Sequence, residues 1–196
     1  MDLVLDLLQG AGIAAAVGIR PLLPVLLVGA LASANVGVNF DGTSFAFLES
    51  PAFLFGAVVL VAVIDVLRRR LGDDALERGP GFAGVALVAL VLGALFAAGS
   101  MADHGHPALA GALAGVLCAL LGLLSSRALF GRVRARLDPA AAGALPVYRE
   151  AVALAAAGLS VLFPPLAVLV IAALVFLMAG NRRRSGEKYA GLRILR

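Results

Sequence analysis

An arginine and two prolines interrupt the first apolar stretch of the chain, and this interruption restricts the fold more than any other feature. Segment 18–24 reads Gly-Ile-Arg-Pro-Leu-Leu-Pro and lies inside an apolar run that covers residues 3–34. In hydrocarbon, an arginine costs roughly 2.5 to 3.5 kcal/mol on insertion scales, and proline leaves a backbone carbonyl without its helical partner. We therefore expect the chain to reverse here as a broken helical hairpin, with one long, kinked helix as the alternative.

The composition indicates that lipid surrounds most of the chain. Of the 196 residues, 62% are hydrophobic and 14% are charged, and the mean hydropathy is +1.02. Soluble domains average about 45 to 50% apolar and 25% charged residues. We predict an all-α, polytopic membrane protein with a single transmembrane domain over residues 1–180 and a basic cytoplasmic tail over 181–196. The start of the chain lacks the basic segment of a cleavable signal peptide.

The lengths of the apolar runs distinguish full spans from shorter segments. A full span needs about 20 residues. Runs 81–101 and 107–124 meet or approach this length, and run 52–67 forms a third, shorter span if the arginines that follow it snorkel to the interface. The remaining runs are short and fall into two pairs hinged at prolines: 7–19 with 22–34, and 147–163 with 166–179. The prediction is about three full spans flanked by two proline-broken hairpins, or five to seven membrane segments in total.

Basic residues are confined to one set of loops, and this predicts the orientation. Segments 35–50 and 102–106 contain acids but no lysine or arginine. All 16 lysines and arginines lie in the other loops, in the tail or at Arg20. By the positive-inside rule, the C-terminus is cytoplasmic and the N-terminus lies outside. The expected partners are the lipid bilayer and anionic lipid at the cytoplasmic face, with no nucleic acid, and a homo-oligomer is left open.

The same rule sets the direction of the two hairpins. Basic residues flank the last apolar region on both sides, so its turn at Pro164 and Pro165 points outward, whereas the tip at Arg20 points inward. Segment 21–32 aligned over segment 164–175 gives six identities, which suggests an inverted repeat. Opposed broken hairpins bring helix ends to the midplane in many transporters. The alternative is two ordinary hairpins that pack only for stability.

The candidate solute or ion pathway consists of the charged and proline residues at these breaks. Arg20 either binds an anion or caps helix-end carbonyls and phosphates at the interface. Asp65 either pairs with the arginines one turn later or handles a proton or cation. Glu150 is expected to interact with a helix N-terminus dipole. The full set is Arg20, Pro21, Pro24, Asp65, Glu150, Pro164 and Pro165.

The turn Asp103-His104-Gly105-His106 groups residue types that ligate metals. Adjacent ligands on one short turn rarely close a tetrahedral site without further donors, and the chain has no other histidine. We expect a solvated turn and no cofactor, with a metal site at Asp103, His104 and His106 as the alternative.

The sequence also bears on enzymatic activity. A serine hydrolase would need Ser100, Ser125 or Ser126 to meet a histidine, but Ser125 and Ser126 are predicted at the opposite membrane face. Ser100 lacks the context of a nucleophile elbow, and the chain has no phosphate-binding glycine loop. We therefore expect no enzymatic activity.

Two motifs resemble a known family. The stretch Ala-Val-Gly-Ile-Arg-Pro-Leu-Leu-Pro at 16–24 and the stretch Tyr-Arg-Glu-Ala-Val-Ala-Leu at 148–154 resemble the bacterial membrane family described as domain of unknown function 4126. The resemblance implies a multi-pass protein of the bacterial cytoplasmic (inner) membrane, in which Gly18, Arg20 and Glu150 correspond to recurring family positions. The family often has an acidic stretch followed by lysine after its second segment, whereas here Asp65 is followed by arginines. No established activity is implied.

Two classes of function remain. The opposed hairpins, with Arg20 and Asp65, favour a small-solute or ion transporter or channel, which is the leading hypothesis. A stripe of small residues at Gly111 and Gly115 predicts close helix packing, either within the subunit or between subunits. That stripe and the basic surfaces favour the alternative, a membrane scaffold or assembly partner that does not transport.

Overall fold

The computed structural model describes residues 3–71 and 81–190, and within these ranges the chain forms helices and no strand. The predicted all-α class is confirmed for this part of the chain. The helices are α1 (Leu3–Ile19), α2 (Leu22–Ser33), α3 (Pro51–Leu71), α4 (Gly81–Asp103), α5 (Ala108–Arg134), α6 (Pro139–Ala142), α7 (Leu145–Leu162) and α8 (Ala167–Ala190), with 3-10 turns at Ala46–Glu49 and Pro164–Leu166.

The outer surface of the helical bundle is apolar. Helices α4, α5 and α7 are long and apolar enough to cross a membrane, yet only 28%, 33% and 39% of their most apolar windows are buried inside the protein. Large side chains such as Phe55, Leu109 and Phe176 are at least 70% exposed. Soluble monomers rarely expose contiguous apolar patches larger than a few hundred Å². This surface is therefore consistent with a membrane protein.

Helix α1 lies at the centre of the bundle. All its residues from position 9 to position 19 are buried, as expected for a helix that is apolar on every side. It packs against α4, α5, α7 and α8. Small residues permit the closest approach, since Gly18 faces the backbone of Ala119 on α5, and Gly122 faces the backbone of Ala15 in return. The central helix is thus held by backbone-to-backbone proximity, which larger side chains would prevent.

The first hairpin is present, and the long, kinked helix is not. The chain reverses between α1 and α2 at Arg20 and Pro21, where proline lacks the N–H that would continue the helical ladder. After α2 the chain returns to the first half of α1. There, the Nε2 atom of Gln9 donates a hydrogen bond to the carbonyl oxygen of Gly37 at 2.6 Å.

The second hairpin turns at the opposite end of the bundle. Helix α7 stops before Phe163, whose φ of −138° and ψ of 76° lie outside the helical region, as the steric demand of the following Pro164 favours. The same Gln9 amide donates to the carbonyl oxygen of Val161 at 3.1 Å. A single buried amide therefore joins the open end of the first hairpin to the turn of the second.

The two ends of the bundle differ in chemistry. We call the end that contains residues 34–50, residues 103–107 and Phe163 the loop end. We call the other end, where α1 meets α2 at Arg20 and Pro21, the arginine end. At the loop end, Phe40 is fully buried and meets Phe96 edge to face, with the ring centroids 5.7 Å apart. The backbone N–H of Phe40 donates to Glu49 Oε2 at 3.2 Å. The segment between α2 and α3 is thus an integral part of the core.

Some helix lengths differ from the expectation. The third helix of full-span length is α7, in the second hairpin, while the apolar part of α3, Pro51–Leu67, is shorter. Helix α8 continues to Ala190, across the domain boundary predicted at residue 180. Residues 191–196 and the side chains of residues 181–190, which carry the predicted basic tail, lie outside the described part. The span count and the orientation stay predictions.

Candidate functional site

A cavity of about 330 Å³ lies at the arginine end, where α1 breaks off. Its walls come from the junction of α1 with α2 and from α3, α4, α5 and α7. Most of the lining is apolar, including Ile19, Leu23, Val61 and the ring of Phe82. The charged side chains on the wall are Arg20, Asp65, Arg127, Arg149 and Glu150. Volumes of roughly 300 to 1,000 Å³ are typical of ligand pockets.

Arg149 closes the broken end of α1. Its Nε atom donates to the carbonyl oxygen of Ile19 at 3.0 Å, and its Nη2 atom donates to Ser126 Oγ at 3.3 Å. The last carbonyls of a helix have no partner within the helix, and a cation is favoured there. Arg149, which comes from α7, thus caps the last carbonyl of α1.

Arg20 forms an ion pair across the two hairpins. Its Nη2 and Nε atoms lie 3.1 and 3.3 Å from Glu150 Oε1, and the side chains are 11% and 34% exposed. Helix α7 begins at Leu145, so Glu150 lies beyond the first turn of that helix. Its partner is therefore the guanidinium of the first hairpin rather than its own helix N-terminus.

Arg127 lies flat on an aromatic ring. Its guanidinium carbon is 3.7 Å from the centroid of the Phe82 ring, which is a cation–π contact between α5 and α4. Such stacking holds the planar group in place while its edges remain able to donate hydrogen bonds. Arg127 is thus oriented by the protein.

Asp65 completes the wall from α3. The residue is partly buried and lines the cavity together with the α1–α2 junction. The arginines predicted as its ion-pair partners, Arg68 and Arg69, have side chains outside the described part. The structure therefore places Asp65 at the cavity and leaves that pairing a prediction.

Some of the residues predicted for a pathway line this cavity, and others lie elsewhere. Arg20, Pro21, Asp65 and Glu150 line it together. Pro24 is buried in the first turn of α2 and is not on the wall, and the pair Pro164–Pro165 turns the chain at the loop end.

Two wall residues, Arg127 and Arg149, do not belong to the set predicted for the site. In the sequence they have the pattern of cytoplasmic cations, and the positive-inside rule already accounts for them. One signal was available for Arg149, since it directly precedes Glu150 in the motif at 148–154.

The balance of charge on the wall favours anions. Three guanidiniums face two carboxylates, which gives a formal charge of +1 in an otherwise apolar surrounding. Guanidinium groups bind carboxylate and phosphate through paired hydrogen bonds. The arrangement can therefore bind a small anion with an apolar body.

The histidine turn lies at the start of α1, at the opposite end of that helix from this cavity. His104 and His106 both approach Asp6, rather than forming a site with Asp103 alone. Among the described residues, no group of three or more His, Cys, Asp or Glu side chains is positioned to hold a metal ion.

The predicted glycine stripe packs inside the subunit. A Cβ atom on Gly115 would lie 2.6 Å from the carbonyl oxygen of Gly93 and 2.8 Å from the Cβ atom of Ala97, both on α4. Gly111 similarly faces Ala97 and Met101. The stripe therefore serves the contact between α5 and α4.

The serines considered for catalysis lie on two different helices. Ser125 and Ser126 are on α5 near the arginine end, where they donate to the carbonyl oxygens of Leu174 and Leu123 at 2.9 and 3.1 Å. Ser100 is buried on α4, one turn before His104.

No protein-family model matches this chain, and the searches found no similar curated protein or solved structure.

Proposed function

We propose that this protein binds a small anionic solute with an apolar body in the arginine-end cavity and passes it through the membrane. The observation that carries the proposal is the convergence of charged side chains from the α1–α2 junction, α3, α5 and α7 on one apolar cavity at a helix break. Placing an ionisable side chain within a membrane segment costs free energy. Such a side chain inside the bundle is therefore taken, by default, to belong to a functional site.

The guanidiniums are held in position before any solute arrives. Arg127 is stacked on Phe82, and Arg149 is bonded to Ile19 and Ser126. Groups that are already oriented lose less conformational entropy on binding, which strengthens binding. Their fixed geometry supports the proposal for a solute with a planar carboxylate or a phosphate.

The ion pair of Arg20 with Glu150 is a place where a solute anion can exchange with a protein carboxylate. A solute anion can replace the carboxylate of Glu150 on Arg20, so that the guanidinium keeps an anionic partner throughout. Because Arg20 belongs to the first hairpin and Glu150 to the second, replacing this bond removes one of the links between the hairpins, while the bonds of Arg149 to Ile19 and of Gln9 to Val161 remain. This coupling supports permeation rather than binding alone.

The opposed hairpins support the same proposal, because broken helices that enter from two sides are a recurring way to build a solute pathway. In this proposal the arginine end is cytoplasmic, and the chain is a multi-pass protein of the bacterial inner membrane, belongs to the family of domain of unknown function 4126 and catalyses no reaction. The scaffold alternative relies on the pair Gly111 and Gly115 and on the basic surfaces, and the contact between α5 and α4 already uses the glycine pair.

Binding of fluorinated probes tests the proposal directly. We expect 19F NMR of the purified protein in nanodiscs to detect 4-fluorophenyl phosphate and 4-fluorobenzoate, and to detect 4-fluorobenzylamine at least tenfold more weakly. Because charge-assisted hydrogen bonds contribute about 1.5 to 3 kcal/mol, Arg127→Gln should weaken anion binding by roughly tenfold or more. Uptake of 4-fluorophenyl phosphate into proteoliposomes should fall in parallel.

Arg132→Gln is the matched control. It removes the same charge from α5, but the Nε atom of Arg132 donates to Ala128 of its own helix, and the residue is not on the cavity wall. This variant should bind and transport like the wild type. The proposal would be contradicted if the protein bound anion and amine equally, or if Arg127→Gln did not affect anion binding. If the protein bound the anion without taking it up, the binding site would stand and the transport function would not.

A further inference from the structure

Asp6 is a buried carboxylate near the start of α1. Its side chain is fully buried, and neither oxygen accepts a hydrogen bond from the described residues. Burying an ionised carboxylate without partners costs far more than folding can sustain, so such a group is either protonated or paired with a cation. Asp6 therefore needs a proton or a positive charge close by.

Two imidazoles stand on either side of this carboxylate. His104 Nδ1 lies 3.3 Å from Asp6 Oδ1, and His106 Nε2 lies 3.4 Å from Asp6 Oδ2. Both distances fall within the range of an ion pair, although the atoms lack the alignment of a hydrogen bond. The imidazole side chains are 33% and 27% exposed, so each connects the buried carboxylate to water at the loop end.

No permanent cation is available at this end among the described residues. The other titratable groups near the cluster are acids. Asp103 Oδ2 lies 3.8 Å from His104 Nδ1, and Glu49, on the segment between α2 and α3, interacts with Asp103 and Asp41. Residues 34–50 and 101–107 contain no lysine or arginine. The helices α7 and α8 present Val161 and Ala167 to this half of α1, and these side chains carry no charge. Among the described residues, the positive partner available to Asp6 is therefore an imidazolium.

We propose that Asp6, His104 and His106 form a proton-binding site. In the step that loads the site, a hydronium ion transfers a proton to a neutral imidazole: one O–H bond breaks, one N–H bond forms, and a neutral water molecule returns to solvent. With both imidazoles neutral, the three groups carry a charge of −1, which one proton brings to zero and a second proton to +1. Histidine is the side chain whose ordinary charge change falls between about pH 5 and 8. The site ties α1 to the turn between α4 and α5 through a bond that depends on proton occupancy.

Histidine-selective labelling tests this proposal, because the chain has two histidines and therefore gives two imidazole signals. We follow the 15N and 13C signals of the labelled protein in nanodiscs from pH 4.5 to pH 9. A carboxylate at this distance favours the imidazolium, so Asp6→Asn should move both titration midpoints to lower pH by about one unit or more. His106→Gln, which keeps Asp6, should also change the titration of His104, because the two imidazoles share one carboxylate.

Asp41→Asn is the matched control, since it removes the same charge from an exposed position at the same end. It should move either midpoint by less than about 0.3 units, as expected for a screened charge. Unchanged imidazole titrations in both Asp6→Asn and His106→Gln would overturn the proposal. Broadening or shifts of both imidazole signals by micromolar Zn²⁺ at pH 7 would also overturn it, because the cluster would then be a metal site. None of these readouts depends on the arginine-end cavity.

Discussion

The close contact of Gly115 on α5 with α4 offers a quantitative test of the packing. At Gly115, a Cβ atom would lie 2.6 Å from the carbonyl oxygen of Gly93, 2.8 Å from the Cβ atom of Ala97 and 3.0 Å from the Cα atom of Ala94. Ordinary carbon–oxygen contacts begin at about 3.3 Å. Gly115→Ala therefore requires the two helices to move apart by roughly 0.7 Å, since two of the three opposing atoms are backbone and cannot rotate away.

The expected cost follows from this displacement. Overpacking a close-packed site typically costs 1 to 3 kcal/mol, and we expect Gly115→Ala to lower the free energy of unfolding by about 2 kcal/mol. Equilibrium unfolding in mixed micelles of increasing dodecyl sulfate fraction, followed by circular dichroism, measures this difference. Reduced homo-oligomer content with unchanged unfolding free energy would refute the reasoning, because Gly115 would then lie between subunits.

Gly84→Ala is the control on the partner helix. An added Cβ atom there meets nothing within 4 Å, so the substitution tests only the backbone preference of α4. Alanine is favoured over glycine in helices by up to about 1 kcal/mol. Gly84→Ala should therefore be neutral or slightly stabilising, and an equal loss of stability in both variants would contradict the packing argument.

Two further predictions concern buried polar groups. Gln9→Met keeps the side-chain volume but removes the hydrogen-bond donor to the carbonyl oxygens of Gly37 and Val161. We therefore expect the free energy of unfolding to fall by about 1 to 2 kcal/mol. A change below about 0.5 kcal/mol would contradict the role of Gln9 in joining the two hairpins. Burial is the main cause that raises the pKa of Glu49, assisted by Asp41 and Asp103, while the Phe40 N–H opposes the shift. Because the raised pKa favours the protonated carboxyl in the folded state, its stabilising contribution is complete at low pH and is lost as the pH rises through the folded value. Relative to wild type, Glu49→Gln should therefore gain stability as the pH rises above the ordinary glutamate pKa of about 4.3. A difference in unfolding free energy between the two proteins that does not change with pH would refute this.

The break at Arg20 and Pro21 could be predicted because its cause is local. An arginine and a proline in an apolar run are costly wherever the run packs, so the chain must turn or be sheltered there. The same reasoning selected Asp65 and Glu150, which the structure brings to one cavity with Arg20. Their convergence follows from the cost of ionisable groups in lipid.

The roles of Arg149 and Asp6 could not be predicted because they depend on helix register. Arg149 bonds to Ile19 only because α7 lies beside the end of α1, and no local pattern specifies that contact. Asp6 reads as an acidic flank of the first apolar run, and its histidine partners lie on a distant turn. The glycine stripe predicted close packing, but spacing alone does not tell whether the neighbour of Gly115 is in the same subunit.

Cysteine accessibility tests most directly the central claim that the two hairpins reverse at opposite ends. In a Cys118→Ser background, single cysteines at the exposed positions Leu3, Ser44 and Gly143 are treated with a membrane-impermeant maleimide in intact cells and then in opened cells. The fold predicts that Leu3→Cys and Ser44→Cys react from one side, outside the cell by the positive-inside rule, and that Gly143→Cys reacts only after the cells are opened. Labelling of Leu3→Cys and Ser44→Cys from opposite sides would mean that the first apolar stretch crosses the membrane once, and it would contradict the first hairpin and the cavity built on it.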